Sequence, residues 1–170
     1  MGLTPGMQRL ILVRHAEAQP RAGGQRDIER PLSPLGLREA AALGRALAAA
    51  GLRPDMALVS SAARTRQTWD AAQAALSDVE LRIEPKLYNA EPGAIDALLK
   101  AASGRTVLLV AHNPGIALYA AHLAQRAGAD GVVAAIRAGF PPATAVAFSV
   151  GDGEPVFEQL FRPAEFGAGA

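Results

Sequence analysis

His15 and His112 each follow a short apolar run, and each has neighbours suited to handling an anion. Arg14-His15-Ala16-Glu17-Ala18 comes after QRLILV (residues 8–13). A histidine beside an arginine, at the point where a strand becomes a loop, can serve as a nucleophile. The cation disfavours imidazolium and keeps a ring lone pair free near neutral pH. The same cation attracts a phosphate dianion. Ala111-His112-Asn113-Pro114-Gly115 comes after TVLLV (residues 106–110), just ahead of a helix start. Between them lies Ser60-Ser61-Ala62-Ala63-Arg64-Thr65-Arg66-Gln67-Thr68. Arg64 falls in the first turn of the helix expected there, where free N–H groups and the positive dipole end favour an anion. Arg64 and Thr68 are four apart and share a face, while Arg66 points elsewhere, toward solvent. Taken singly, each segment has a plainer reading: a surface Arg–His pair, a helix with ordinary surface arginines, a structural histidine at a strand end. His122 lies within a helix without a charged cluster and reads as structural or exposed.

The elements that must position these residues alternate along the chain. Residues 8–13, 56–59, 81–83 and 106–110 read as strands. Ser33 at an N-cap with Pro34 at N1 opens an Ala/Leu-rich helix to about residue 50, closed by Gly51 at C′. Further helices are expected over 62–77, 94–102 and 114–127. Residues 144–150 and 155–161 read as a hairpin or two late edge strands, joined by Gly151-Asp152-Gly153. Residues 19–30, 87–93 and 128–142 read as loops, and the tail from Pro163 as frayed. This alternation predicts an α/β fold with a mainly parallel central sheet. Right-handed crossovers then place helices on both faces, making three α/β/α layers. In such sheets ligands bind beyond the carboxyl ends of the strands, and all three segments fall there. The 170 residues read as one domain.

Composition narrows the chemistry. Half the residues are hydrophobic, which supports a sizeable core. A net charge of +1 gives no basis for a nucleic-acid surface or a polybasic membrane patch. There is no cysteine, so thiolate metal sites, disulfides and cysteine nucleophiles are excluded. No GxGxxG, Walker A or zinc motif is present. The start MGLTPGMQRL lacks the apolar stretch of a signal peptide, and the apolar runs are too short to span a bilayer. A cytoplasmic protein is expected, with no membrane or nucleic-acid partner, as a monomer or weak dimer.

In their order and spacing these motifs resemble the histidine phosphatase superfamily, which has the phosphoglycerate-mutase-like fold. Arg14-His15-Ala16 looks like its Arg-His-Gly motif, with Ala16 where glycine is usual. Arg30-Pro31-Leu32-Ser33-Pro34-Leu35-Gly36 looks like its Pro-Leu-Thr/Ser-x-x-Gly signature. Residues 60–68 resemble its Ser-x-x-x-Arg-x-x-x-Thr segment, and Ala111-His112-Asn113 its second histidine. The resemblance covers residues 9–116. Arg-His-Ala, His-Asn-Pro and the short chain look most like the SixA-type phosphohistidine phosphatase branch. It implies that His15 becomes phosphohistidine, that Arg14, Arg64 and His112, with Asn113, hold the phosphoryl oxygens, and that no metal or other cofactor is needed.

The resemblance also implies a general acid that this chain does not obviously carry. Superfamily members with one have a glutamate in the loop matching residues 87–91, and that position here is Asn89. Glu17 and Glu91 are the candidate replacements; the plain reading of both is a solvated carboxylate. With neither, the chemistry suits a leaving group that needs little help, such as the imidazole of a phosphohistidine protein. The alternatives are a broad small-molecule phosphomonoesterase, a mutase, or a non-catalytic phosphate-binding module.

Overall fold

The computed structural model describes residues 3–166. Its sheet contains β1 (Arg9–Arg14), β2 (Met56–Ser60), β3 (Glu80–Glu84), β4 (Thr106–Ala111), β5 (Ala145–Ser149) and β6 (Val156–Phe161), in the order β3-β2-β4-β1-β5-β6. β1 to β4 pair in parallel, while β5 runs antiparallel to β1 and forms a hairpin with β6. The helices are α1 (Pro34–Ala49), α2 (Ala63–Ala72), α3 (Pro92–Lys100), α4 (Gly115–Arg126) and α5 (Asp130–Ala138).

Strand alternation sorts the core into two halves, since successive side chains leave opposite faces. Leu10, Leu12, Leu58, Leu109 and Phe148 pack with Ile95 and Leu99 of α3, Ile116 and Tyr119 of α4, and Ile136 of α5. Ile11, Val13, Val59, Val110 and Ala147 pack on the other face with Leu43 and Leu47 of α1 and Trp69 of α2. The layers are therefore α/β/α. The ends of α1 follow local chemistry. Ser33 Oγ accepts from the Gly36 N–H at 3.0 Å, and Gly51 takes a φ of 73° just past Ala50. The Leu52 N–H then reaches the Leu47 carbonyl at 2.9 Å and the Gly51 N–H the Ala48 carbonyl at 3.0 Å, a Schellman closure.

Several expected boundaries move. Residues 128–142 are not a loop throughout: α5 occupies Asp130–Ala138 and buries Val133 and Ile136. Glycines at 128, 131 and 139 mask a nine-residue helix whose apolar positions are decided by contact with α4. The regular part of α2 ends at Ala72, with a 3-10 turn at Gln73–Ala75. α3 begins at Pro92, two residues earlier than expected. Residues 163–166 are ordered rather than frayed. Pro163–Glu165 forms a 3-10 turn tied by an Arg162–Glu165 ion pair, and Phe166 packs against the core. The remainder of the tail lies outside the described residues.

Candidate active site

Register brings the two histidines together. Arg14 is paired with Ala111 across β1 and β4, so the next residue of each strand, His15 and His112, leaves the sheet beside the other. The His15 N–H donates to the Ala111 carbonyl at 3.2 Å, and the two rings lie 5.3 Å apart between centroids. β2, on the other side of β4, delivers Ser60 and then the start of α2. Both histidines and Arg64 are buried, with exposures of 7%, 5% and 4%.

The His15 ring has one tautomer that satisfies its surroundings. Nδ1 lies 2.7 Å from the Ala16 carbonyl oxygen, which can only accept, so Nδ1 carries the proton. The lone pair is then on Nε2, where it accepts from Arg64 Nε at 3.3 Å. His15 has its pKa lowered to about 4, mainly by burial and further by Arg64, Arg14 and Arg30, against the opposing Ala16 hydrogen bond. His112 is lowered to about 3, again mainly by burial and then by Arg64. Its Nε2 shares a 2.7 Å hydrogen bond with Ser60 Oγ. His112 Nδ1 and Arg14 Nε are both buried without a hydrogen-bond partner among the described residues. A protonated Nδ1 and the Arg14 Nε–H are donors that an anion would satisfy.

The backbone around this cluster is tied from several elements. The Ala16 N–H donates to Thr68 Oγ1 at 2.9 Å, and Thr68 Oγ1 donates to the Arg64 carbonyl at 2.7 Å. Ser60, Arg64 and Thr68, spaced by four, therefore serve His112, the lone pair of His15 and the backbone after His15 respectively. The Ala16 methyl fits a small buried cluster with Leu32, Ala40 and Ala143. The Phe140 carbonyl accepts from Arg14 Nη1 at 2.9 Å and from Asn113 Nδ2 at 3.0 Å. The Ala143 N–H donates to the His15 carbonyl at 3.0 Å.

Arg14, His15, Arg64, His112 and Asn113 thus form one cluster, while Arg66 and His122 are exposed. The two candidate acids are placed differently. Glu17 Oε1 accepts from Ser33 Oγ at 2.7 Å, and the Glu17 side chain lines a surface depression with Glu39, Pro141 and Arg162. Glu91 is exposed and lines a cavity with Asn89, Asn113, Pro114 and Leu118. Asn89 adopts a φ of 56°, on the turn that presents this cavity wall. Among the described residues, no group of three or more His, Asp or Glu is arranged to hold a metal ion.

Sequence reasoning missed Asp27, Tyr88 and the Phe140 carbonyl. Asp27 lies in a 3-10 turn (Asp27–Glu29) within the loop of residues 19–30, and Asp27 Oδ2 pairs with Arg64 Nη2 at 3.1 Å. Tyr88 packs edge-on against His112, with centroids 5.5 Å apart. Charge in a polar loop and one aromatic in a turn are too common to have singled these residues out.

The chain is similar to known proteins in sequence and in fold. A Mycobacterium tuberculosis protein of uncharacterized function is 37% identical over 125 residues, 72% of this chain and 76% of its own length. A protein from Agrobacterium tumefaciens, provisionally described as the phosphohistidine phosphatase SixA, is 32% identical, with a TM-score of 0.82 over 92% of this chain and 99% of its own. A second such protein, from Nakamurella multipartitia, is 28% identical, with a TM-score of 0.80 over 94% of this chain and 98% of its own. A phosphoglycerate mutase from Plasmodium falciparum, 17% identical, shares the fold with a TM-score of 0.60 over 91% of this chain and 90% of its own. The family model of the histidine phosphatase superfamily (branch 1) matches residues 10–98, from β1 through the Arg64 helix and into α3, and the chain belongs to that superfamily.

Proposed function

We propose that this protein is a phosphatase that works through a phosphohistidine on His15 Nε2, and that its substrate is a phosphohistidine borne by a protein. The observation that carries the reading is the tautomer lock: Nδ1 held by the Ala16 carbonyl and the Nε2 lone pair aimed at Arg64. In the first step Nε2 attacks phosphorus, the P–N bond to His15 forms, and the bond to the leaving group breaks. The leaving imidazole takes up a proton from solvent water. In the second step water attacks phosphorus, the His15–phosphorus bond breaks, and inorganic phosphate departs. The Arg14 and Arg64 guanidiniums balance the charge on the phosphoryl oxygens, and neutral His112 donates to them from Nδ1, all at fixed positions, the form of catalysis that needs least rearrangement. The positive groups of the site suffice for that role, so the proposal includes no metal.

Two observations favour phosphohistidine as substrate. The likeness to the Agrobacterium protein extends over nearly its whole length. Asn89, Glu91 and Asn113 share a cavity wall, and the Asn89 amide, though a hydrogen-bond donor, is no general acid near neutral pH. A site without a strong acid favours leaving groups that accept a proton readily near neutral pH. The test is incubation with a phosphohistidine protein and with aryl and alkyl phosphates of graded leaving-group pKa. Wild type should form an alkali-stable, acid-labile phosphoenzyme, and the rate should fall steeply as leaving-group pKa rises. Phosphohistidine should be cleaved fastest, and EDTA should leave the rate unchanged. His15→Ala should reduce turnover by about 10³-fold or more. A phosphoenzyme that persists in His15→Ala would overturn the nucleophile. A flat leaving-group dependence that steepens in Glu91→Gln would make Glu91 the acid and overturn the acid-poor reading.

A further inference from the structure

We propose that Asp27 is a positioning residue for phosphoryl transfer: it holds the outer fork of Arg64 so that the Nε edge faces His15, and Tyr88 fixes its carboxylate. The proposal rests on the phosphatase reading above. A guanidinium has five N–H donors in a rigid plane, so engaging one edge dictates where the others point. Here each outer nitrogen donates to the same residue. Arg64 Nη1 donates to the Asp27 main-chain carbonyl at 2.9 Å, and Nη2 donates to Asp27 Oδ2 at 3.1 Å. Arg64 Nε is left against His15 Nε2 at 3.3 Å. A phosphoryl group arriving at Nε2 would therefore meet the Nε edge already aimed.

Asp27 is held in turn. The Tyr88 hydroxyl donates to the same Oδ2 at 2.7 Å, and Arg30 Nε reaches Oδ1 at 3.3 Å. The Tyr88 ring lies against His112 and 5.9 Å from the Arg64 guanidinium carbon. Tyr88 thus couples the turn after β3 to the long loop after β1, across the cluster that joins both histidines. The Arg64 side chain is 5% exposed and that of Asp27 is 40% exposed. A half-open ion pair adds little to folding stability, so the orientation of Arg64 is its main consequence.

The experiment uses the full chain and an aryl phosphate, and compares wild type, D27A, D27N, Y88F and H15A. Phosphoenzyme formation is followed in single turnover, with steady-state kcat and KM, orthovanadate inhibition and thermal melts alongside. D27A should slow phosphorylation of His15 by up to about 10²-fold, the scale of a misplaced catalytic group. KM should move by less than about threefold, because the main-chain carbonyl of residue 27 still holds Arg64 in the pocket. Vanadate inhibition should weaken in parallel with the rate. D27N retains an oxygen for Arg64 and for the Tyr88 hydroxyl, and should recover most of the rate. Y88F should fall between D27N and D27A. D27A phosphorylating at the wild-type rate would overturn the proposal, as would a D27N that melts like wild type yet is as slow as D27A. Absence of a phosphoenzyme in wild type itself is a different result: it sinks the phosphatase reading, and this proposal with it.

Discussion

His15 is neutral for a reason only partly visible beside it in the chain. Arg14 disfavours imidazolium, as its position in sequence suggests, but burial is the larger cause and Arg64, brought from α2, outranks Arg14. The consequence is a pH dependence set well below that of an ordinary histidine. With a pKa of about 4, the ring keeps its lone pair as pH falls through 6.5 and loses it only near 4. The acidic limb of kcat/KM, which reports the free enzyme, should therefore lie near pH 4 for an aryl phosphate. The substrate's own phosphate ionisation is measured by separate titration and divided out of the profile. A limb at 6 to 7 belonging to the enzyme would show that His15 is more solvated than its 7% exposure indicates.

The elements meet at close contacts that tolerate no side chain. A Cβ on Gly36 would collide with the Glu17 carbonyl oxygen, so this glycine lets α1 dock on the loop just past His15. A Cβ on Gly115 would collide with the Ala90 carbonyl oxygen, where the start of α4 meets the turn carrying Tyr88 and Asn89. Both obstacles are backbone and cannot swing aside. Gly115→Ala should cost about 1–3 kcal/mol, the range for overpacking a close contact, and should lower phosphatase activity by shifting Tyr88. Gly131→Ala is the control: a Cβ there meets nothing, and within α5 the change should be neutral or stabilising by up to about 1 kcal/mol. Urea denaturation of both variants gives the comparison, and equal stabilities would show that the α4 contact relaxes freely.

Two neutral histidines buried at one end of the sheet make the whole fold sensitive to acid. Both folded-state pKa values lie below the unfolded value near 6.5, at about 4 for His15 and about 3 for His112. Between those values the unfolded chain binds more protons than the folded one, so stability is full above pH 6.5 and falls as pH drops. The urea midpoint should decrease from pH 7 to pH 5, and the decrease should shrink in a His15→Asn, His112→Asn double variant. An equal decrease in both proteins would assign the acid sensitivity to other groups. At this scale the division between chain and fold is also clearest. Four parallel strands, the capped α1 and the cluster of Arg14, His15, Arg64 and His112 were legible in the sequence. Apolar runs, caps and strand-end motifs are local signals, and parallel α/β topology carries strand ends to one edge. Helix α5 was not legible, because its glycines look like turns until α4 buries Val133 and Ile136. Nor were Asp27, Tyr88 and the Phe140 carbonyl, which approach the histidines from loops 12, 73 and 125 residues away in sequence from His15. Local signals marked His15 as a candidate and placed it at the end of its strand; the tertiary structure alone decided which loop groups aim Arg64 and Arg14, since side chains and carbonyls in loops have no periodicity to announce where they will land.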